Sequence, residues 1–303
     1  MISCKKKSSN IIIQDKIYYI FSYLLLIIVF ILVAYPLYFV IIASLSEPNA
    51  ISNGDVIFRI KGFNLRGYKT IFRSSTIWTG YRNSLLYMGI GTALNLIITL
   101  PAAYALSRNK LKGRKIIMLL FTLTMFFKGG LVPTYLLVRK LHLYNTFMIM
   151  ILINALSVYN LIIAKTFFQT TVPQELIDAA KIDGCDDLRC FISIILPISK
   201  AIVAVVGLFY AVGHWNSYFN ALIFLRNKEL FPLQLVLKNI LLKANAIIAL
   251  MPQGSRDAIE EQQKIAQSLK YGVIIIASLP ILIIYPFVQK YFVQGVMIGS
   301  VKG

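Results

Sequence analysis

The sequence predicts an all-α integral membrane protein with six transmembrane helices. Three observations predict it. Of 303 residues, 58% are hydrophobic and only 14% are charged. Mean hydropathy is +0.72. Apolar stretches of about 20 residues, the length that crosses a bilayer, recur along the chain. A soluble domain usually carries ~25% charged residues, so lipid must supply part of the solvent for this chain. The same composition excludes a disordered chain, a disulfide scaffold and a collagen-like repeat.

The expected spans are 17–42, 84–106, 116–138, 145–168, 198–225 and 271–292. Residues 1–16 precede the first span and include Lys5, Lys6 and Lys7. A basic start before an apolar run also marks a signal peptide, whose apolar core is only ~7–15 residues. Stretch 17–42 is longer, so an uncleaved anchor with its N-terminus inside is expected. Six spans then place both termini in the cytoplasm. The 107–115 loop, with Arg108, Lys110, Lys112, Arg114 and Lys115, supports that orientation, because short loops rich in Lys and Arg stay inside. Counted over the whole chain, the 31 basic residues divide almost evenly between the two sides. The two long outer loops are 43–83 and 226–270. Ser255 to Lys270 reads as an amphipathic helix, capped by Ser255 and with acids near its start. It suits either the membrane interface or a partner. Residues 293–303 form a Gly-rich, flexible cytoplasmic tail.

Charge and cysteine content narrow the functions further. The net charge is +19, but the basic residues lie between apolar runs. That pattern points to anionic lipid headgroups rather than nucleic acid. Cys4, Cys185 and Cys190 give no disulfide framework. With His142 and His214 they form no metal-ligand spacing, so no metal is expected. No phosphate loop of the form Gly-x-x-x-x-Gly-Lys-Ser/Thr occurs.

The most informative segment is 172–197, between the fourth and fifth spans. Pro173 suits the first helical turn, and Glu175 favours a helix N-terminus. Leu176, Ala179, Ala180 and Ile182 give a short helix with a small-residue face. Gly184 permits the positive φ that ends a helix. Asp186 and Asp187 can begin the next helix, and Pro197 marks its join to the fifth span. A small projecting helix suits docking into another protein's groove; an ordinary connecting loop fits the composition as well.

This spacing resembles the EAA loop of ABC importer permeases. Asp178, Ala179, Ala180, Gly184, Ile194, Leu196 and Pro197 occupy the places of the motif. Asp178 replaces the usual Glu, and Cys185 stands where a small alanine is common. The segment His214 to Leu225 resembles the Trp-Asn-aromatic segment of the carbohydrate, maltose-permease-like branch. Residues 289–303 resemble its C-terminal end, and Phe127 to Tyr135 is similar to a subgroup associated with complex oligosaccharides.

The resemblance implies a type I ABC importer permease architecture in a bacterial cell membrane, with a cytoplasmic EAA coupling helix. It implies a second, related permease that completes the pore, two cytoplasmic ATPase subunits, and an extracellular solute-binding protein that delivers a sugar. ATP and Mg would be bound by the ATPases, and this chain would bind no cofactor. Glu175, Asp178, Ala179, Ala180, Asp183, Gly184, Ile194, Leu196 and Pro197 would transmit force and catalyse nothing. The tail would either offer a second contact with the ATPase or be a loose end.

Polar residues inside the spans are candidates for the translocation pathway. Asn216 and Asn220 lie one helical turn apart. With Trp215 and Tyr218 they suit a sugar, through ring stacking and amide hydrogen bonds; bonding to neighbouring spans is the alternative. Asn95, Asn154 and Asn160 read as links between helices. Lys128, beside Gly129 and Gly130, either lines the pore or snorkels at the outer end of its span. Pro36, Pro101, Pro280 and Pro286 are expected to kink or end helices.

Two other functions compete with this one. A stand-alone secondary transporter for a small polar solute should carry charged intramembrane residues for ion coupling, and the spans hold no acid. A membrane-embedded enzyme needs a nucleophile–base pair or a metal cluster, and neither is visible.

Overall fold

The computed structural model describes residues 3–250 and 256–300, with side chains over 15–242 except 17 and at most positions over 264–289. Every regular element among the described residues is helical. Ser255, the expected cap, and Val301, Lys302 and Gly303 at the tail lie outside the described residues. The chain forms two compact units, residues 1–71 with 243–276 and residues 72–242 with 277–303.

The first unit holds α1 (Ser3–Ser44), α2 (Pro48–Ser52) and α3 (Arg66–Arg73). The segment Tyr18–Ser44 of α1 is apolar and long enough to cross a bilayer, close to the expected 17–42. Its side chains are mostly exposed, as a lipid-facing helix requires. Pro36 lies inside α1 without ending it. The end of α1 holds the chain that follows it: Tyr38 donates its hydroxyl to the Phe58 carbonyl at 2.6 Å, and Tyr68 donates to Ser44 Oγ at 2.9 Å. The ring of Tyr271 meets Phe39 edge-on at 5.9 Å.

The spine of the second unit is α4 (Ser75–Ser107), which begins more than two turns before the expected residue 84. Its early turns hold segment 229–233. Asn83 Nδ2 donates to the carbonyls of Glu229 and Phe231, Tyr87 donates to the Leu230 carbonyl, and Ser84 Oγ accepts from the Leu233 amide.

The expected third span, 116–138, is not one helix. It divides into α5 (Arg114–Phe126) and α6 (Leu131–Lys140), bent by 111°. Gly129 and Gly130 resist helix continuation, and Gly130 takes a φ of +84°. The expected fourth span, 145–168, divides into α7 (Phe147–Leu152) and α8 (Val158–Thr171). The 14 residues of α8 extend only ~21 Å at 1.5 Å per residue, short of a ~30 Å hydrocarbon core.

Helix α9 (Gln174–Ile182) and α10 (Asp187–Cys190) follow, then a π-helical turn (Phe191–Ile195) and α11 (Leu196–Ile198). An 86° bend at Ser199 leads into α12 (Lys200–Trp215). The expected fifth span, 198–225, therefore starts at a bend, and it breaks again at Asn216 before α13 (Tyr218–Phe224). The Ser217 hydroxyl donates to the His214 carbonyl at 2.6 Å and competes with the helical ladder there.

The expected outer loop 226–270 contains a helix, α14 (Leu233–Leu250). Leu233, Leu235, Val236 and Leu237 at its start are buried. The last element, α15 (Arg256–Ser300), runs through both Pro280 and Pro286 and contains the apolar segment Ser268–Phe287. Its backbone stays helical over 293–300, where a flexible tail was expected.

By length and composition, three helices among the described residues can cross a bilayer: Tyr18–Ser44, Ser75–Ser107 and Ser268–Phe287. Counting each bent pair as one span raises the number to five. The core of the second unit forms where α4, α8 and α12 meet. Ala103, Leu161, Ala164, Phe168, Ile195 and Val206 are fully buried there.

Candidate functional site

The hairpin 172–197 stands on a buried base. Pro173 takes the N-cap position (φ −62°, ψ 144°), so it precedes the first turn rather than beginning it. Glu175 in the first turn and Lys181 in the last complement the helix dipole. Ile177 and Ala180 face inward and are buried, whereas Glu175, Asp178, Ala179 and Asp183 face out. The helix stops at Gly184, whose φ is +78°. The Cys185 amide donates to the Ala180 carbonyl at 3.0 Å, and the Gly184 amide donates to the Lys181 carbonyl at 3.1 Å. These two bonds are a Schellman closure, which needs a left-handed residue at the Gly184 position.

The returning limb of the hairpin is helical and equally well defined. Asp186 caps α10 by accepting from the Arg189 amide at 2.7 Å. Pro197 supplies no N–H to the preceding turn, and the helix widens to π geometry over Phe191–Ile195 just before it. Ile194 and Leu196 pack partly buried against the core.

Three aromatic rings carry the hairpin's base. Tyr104 lies 5.1 Å from Phe191 and 5.8 Å from Phe168, centroid to centroid. Arg108 locks this cluster to the loop after α4. Its guanidinium sits 5.0 Å over the Tyr104 ring and donates to the Phe168 carbonyl at 2.5 Å. Burial holds the Arg108 pKa below its ordinary value. Around the helix, Asp178 accepts from Gln174 at 3.1 Å and pairs with Lys110 at 3.6 Å. The Asp187 carboxylate, hydrogen-bonded to Lys181 at 2.7 Å, raises the Lys181 pKa. The outward tip stays open: Ile182 is 86% exposed and Leu188 65%.

A second feature is a knot of buried polar groups between α4, α12 and the chain linking α7 to α8. Asn95 Nδ2 donates to the carbonyls of Asn154 and Ala155, both at 2.7 Å. Asn95 Oδ1 meets His214 Nε2 at 2.7 Å. Thr99 and Tyr210 share a 2.7 Å hydroxyl contact, and the Tyr210 hydroxyl accepts from the Ser157 amide at 2.9 Å. The knot satisfies backbone groups that the break after α7 leaves free. Beside it opens a cavity of about 750 Å³, lined by residues that include Lys128, Asn154, Ser157, Tyr159, Tyr210 and His214.

The four expected pathway residues fall outside this lining. Trp215 is fully buried; its Nε1 donates to the Ala277 carbonyl at 2.9 Å and its ring meets Tyr81 edge-on. Asn216 is exposed at the break after α12 and Asn220 lies on α13, so the two do not share one helical face. The Tyr218 hydroxyl accepts from Lys238 Nζ at 2.7 Å. Lys128 is at the break between α5 and α6, in the cavity wall. Asn95 links helices, as expected. Tyr210, Thr99 and Ser157 carried no sequence signal beyond a hydroxyl in an apolar run. Arg108 was legible only as an orientation charge. Among the described residues, no group of His, Cys, Asp and Glu is arranged to hold a metal.

Comparison with known proteins gives a consistent result. Residues 75–298 match the family model described as binding-protein-dependent transport system inner membrane component. Protein LplC of Bacillus subtilis (strain 168) is 38% identical over 268 residues, covering 88% of this chain and 89% of LplC. The polygalacturonan/rhamnogalacturonan transport system permease protein YtcP of the same organism is 38% identical over 269 residues, covering 88% and 92%. Among solved structures, a bacterial ABC transporter involved in the import of the acidic polysaccharide alginate superposes with a TM-score of 0.81 at 28% identity, over 92% of this chain and 98% of that one.

Proposed function

This chain belongs to the binding-protein-dependent transport system inner membrane component family, and on that premise we propose that it is one permease subunit of an ATP-driven importer for a sugar or oligosaccharide. Relatives named for polygalacturonan and rhamnogalacturonan transport, and a structural neighbour named for alginate import, support the substrate class. A stand-alone secondary transporter has no support among these relatives.

The observation that carries the reading is the hairpin 172–197. Its base is buried against Tyr104, Phe168 and Phe191, while its tip presents Ile182 and Asp183 outward. A rigid projection of that kind transmits a push from a docked partner into the bundle. In this reading the hairpin is cytoplasmic, and Glu175, Asp178, Ala179, Asp183 and Gly184 receive one of two ATPase subunits that bind ATP and Mg, with Ala180 buried behind them. Ile194, Leu196 and Pro197 join the projection to α12. The chain crosses the membrane six times, with both termini inside, and some crossings are made by broken helices. A second permease completes the pathway and an extracellular binding protein delivers the solute.

Alternating access follows from two discrete packings of the bundle. Closure of the ATPase dimer moves the hairpin, and Ile177 and Ala180 carry that motion to α4, α8 and α12. The role of this chain is mechanical. The test is uptake in proteoliposomes. Radiolabelled oligosaccharide should accumulate only when the second permease, the ATPases, the binding protein and ATP are all present. Uptake by this chain alone would refute the reading.

A further inference from the structure

The cavity beside the broken helices carries a single formal cation. Lys128 contributes to its wall, and none of the described residues lining it is Asp or Glu. The sequence extends the point. No acidic residue occurs between Asp55 and Glu175, nor between Asp187 and Glu229. The lining comes from 124–160 and 209–214, so the segments around Lys128 hold no carboxylate. The chain's two described ion pairs use Lys110 and Lys181 instead. The Lys128 side chain is exposed in this wall, and a charged group at such a place marks a substrate pathway; among the described lining residues no carboxylate pairs with it.

The rest of the wall is neutral and suited to sugar rings. Asn154 and Asn160 bring amides, Ser157 a hydroxyl. Tyr159 and Phe209 form a ring pair at 6.4 Å, with Tyr159 56% exposed. His214 is turned toward Asn95 Oδ1 at 2.7 Å. The volume, about 750 Å³, falls within the ~300–1,000 Å³ of small-molecule sites.

We propose that Lys128 is a specificity-determining residue that pairs with a carboxylate on the transported sugar, so that the cavity passes uronate-containing oligosaccharides in preference to neutral ones. The proposal rests on the sugar-import reading above. A lysine suits it, because a point charge on a flexible stem can follow a carboxylate along the cavity. A neutral sugar of the same shape leaves the ammonium unpaired as water is displaced, and that difference produces selectivity.

The test compares trigalacturonate with its carboxyl-reduced, neutral counterpart. Both are offered to the complete transporter in proteoliposomes, with its binding protein present in excess. Lys128→Gln is expected to lower uptake of the uronate about tenfold more than uptake of the neutral sugar, the scale of a lost desolvated charge pair. Lys128→Arg should keep the preference. If the wild type carries only the uronate, Lys128→Gln must lower that uptake about tenfold and Lys128→Arg retain it. Equal losses for both sugars would show Lys128 paired to a carboxylate of the second permease, and a preference untouched by Lys128→Gln would show it idle. Either result overturns the proposal and leaves the sugar-import reading intact. A complete transporter that imports other oligosaccharides but neither of these overturns the proposal alone, and one that imports no oligosaccharide overturns both.

Discussion

Gly91 on α4 lies directly against the His214 ring on α12. A Cβ built at Gly91 would overlap the imidazole. The same imidazole meets Asn95 one helical turn further along α4, so the missing side chain at Gly91 makes room for the buried polar knot.

This close approach predicts a sharp response to Gly91→Ala. Overpacking of this kind costs about 1–3 kcal/mol. Thermal unfolding of the detergent-solubilised complex should show a lower Tm. The penalty should shrink in a His214→Ala background, because the obstructing ring is gone; contacting residues are not additive. Equal penalties in both backgrounds would mean that the ring does not fill the space above Gly91.

Asn95→Leu is expected to destabilise more than Asn154→Leu. The Asn95 side chain satisfies two backbone carbonyls and His214. Stranding a buried polar group costs about 1–3 kcal/mol. The same thermal assay ranks the two variants, and an Asn95→Leu protein as stable as wild type would remove the knot's structural role.

Gly184 predicts a conformational rather than a steric effect. A Cβ there would meet nothing within 4 Å, yet φ is +78°. Gly184→Val should therefore cost about 1–2 kcal/mol in the left-handed turn and uncouple ATP hydrolysis from uptake. Gly184→Asn, which tolerates that φ, should retain most coupling. The check is sugar moved per ATP hydrolysed. Normal coupling in Gly184→Val would contradict the account of this turn.

Trp215 separates a structural tryptophan from a sugar platform. Trp215→Ala should destabilise by about 3–5 kcal/mol, as for other buried aromatics. Trp215→Phe keeps most of the packing but loses the bond to the Ala277 carbonyl. It should lower Tm while leaving the KM for sugar unchanged. A raised KM in Trp215→Phe at wild-type stability would return Trp215 to the pathway.

Much of the hairpin was legible from sequence, because its signals are local. Gly184 ends α9 and Asp186 caps α10 through rules that act within a few residues. The burial of Ile177 and Ala180 follows from helical period. What the sequence hid was non-local. Hydropathy averages over a break, so 116–138 and 145–168 each read as one helix. The break after α7 is tolerable because Asn95, 59 residues away from Asn154 in sequence, accepts the task of bonding the freed carbonyls. No window of neighbouring residues contains that fact. Likewise, Asn216 and Asn220 have helical spacing, but the Ser217 hydroxyl ends the helix between them. Helix α14 was missed because Lys238 and Lys243 interrupt its apolar run. Lys128 was ambiguous because its surroundings come from α8 and α12 as well as from its own break.

The central claim is that hairpin 172–197 receives force from a separate ATPase. The most direct measurement places a photo-activatable cross-linking residue at position 182, in place of the exposed Ile182, within the complete transporter in membranes. The account predicts an adduct with the ATPase subunit whose yield changes between nucleotide-free and ATP-bound states. An adduct with the extracellular binding protein, or labelling of that position by a membrane-impermeant reagent added outside intact cells, would contradict it.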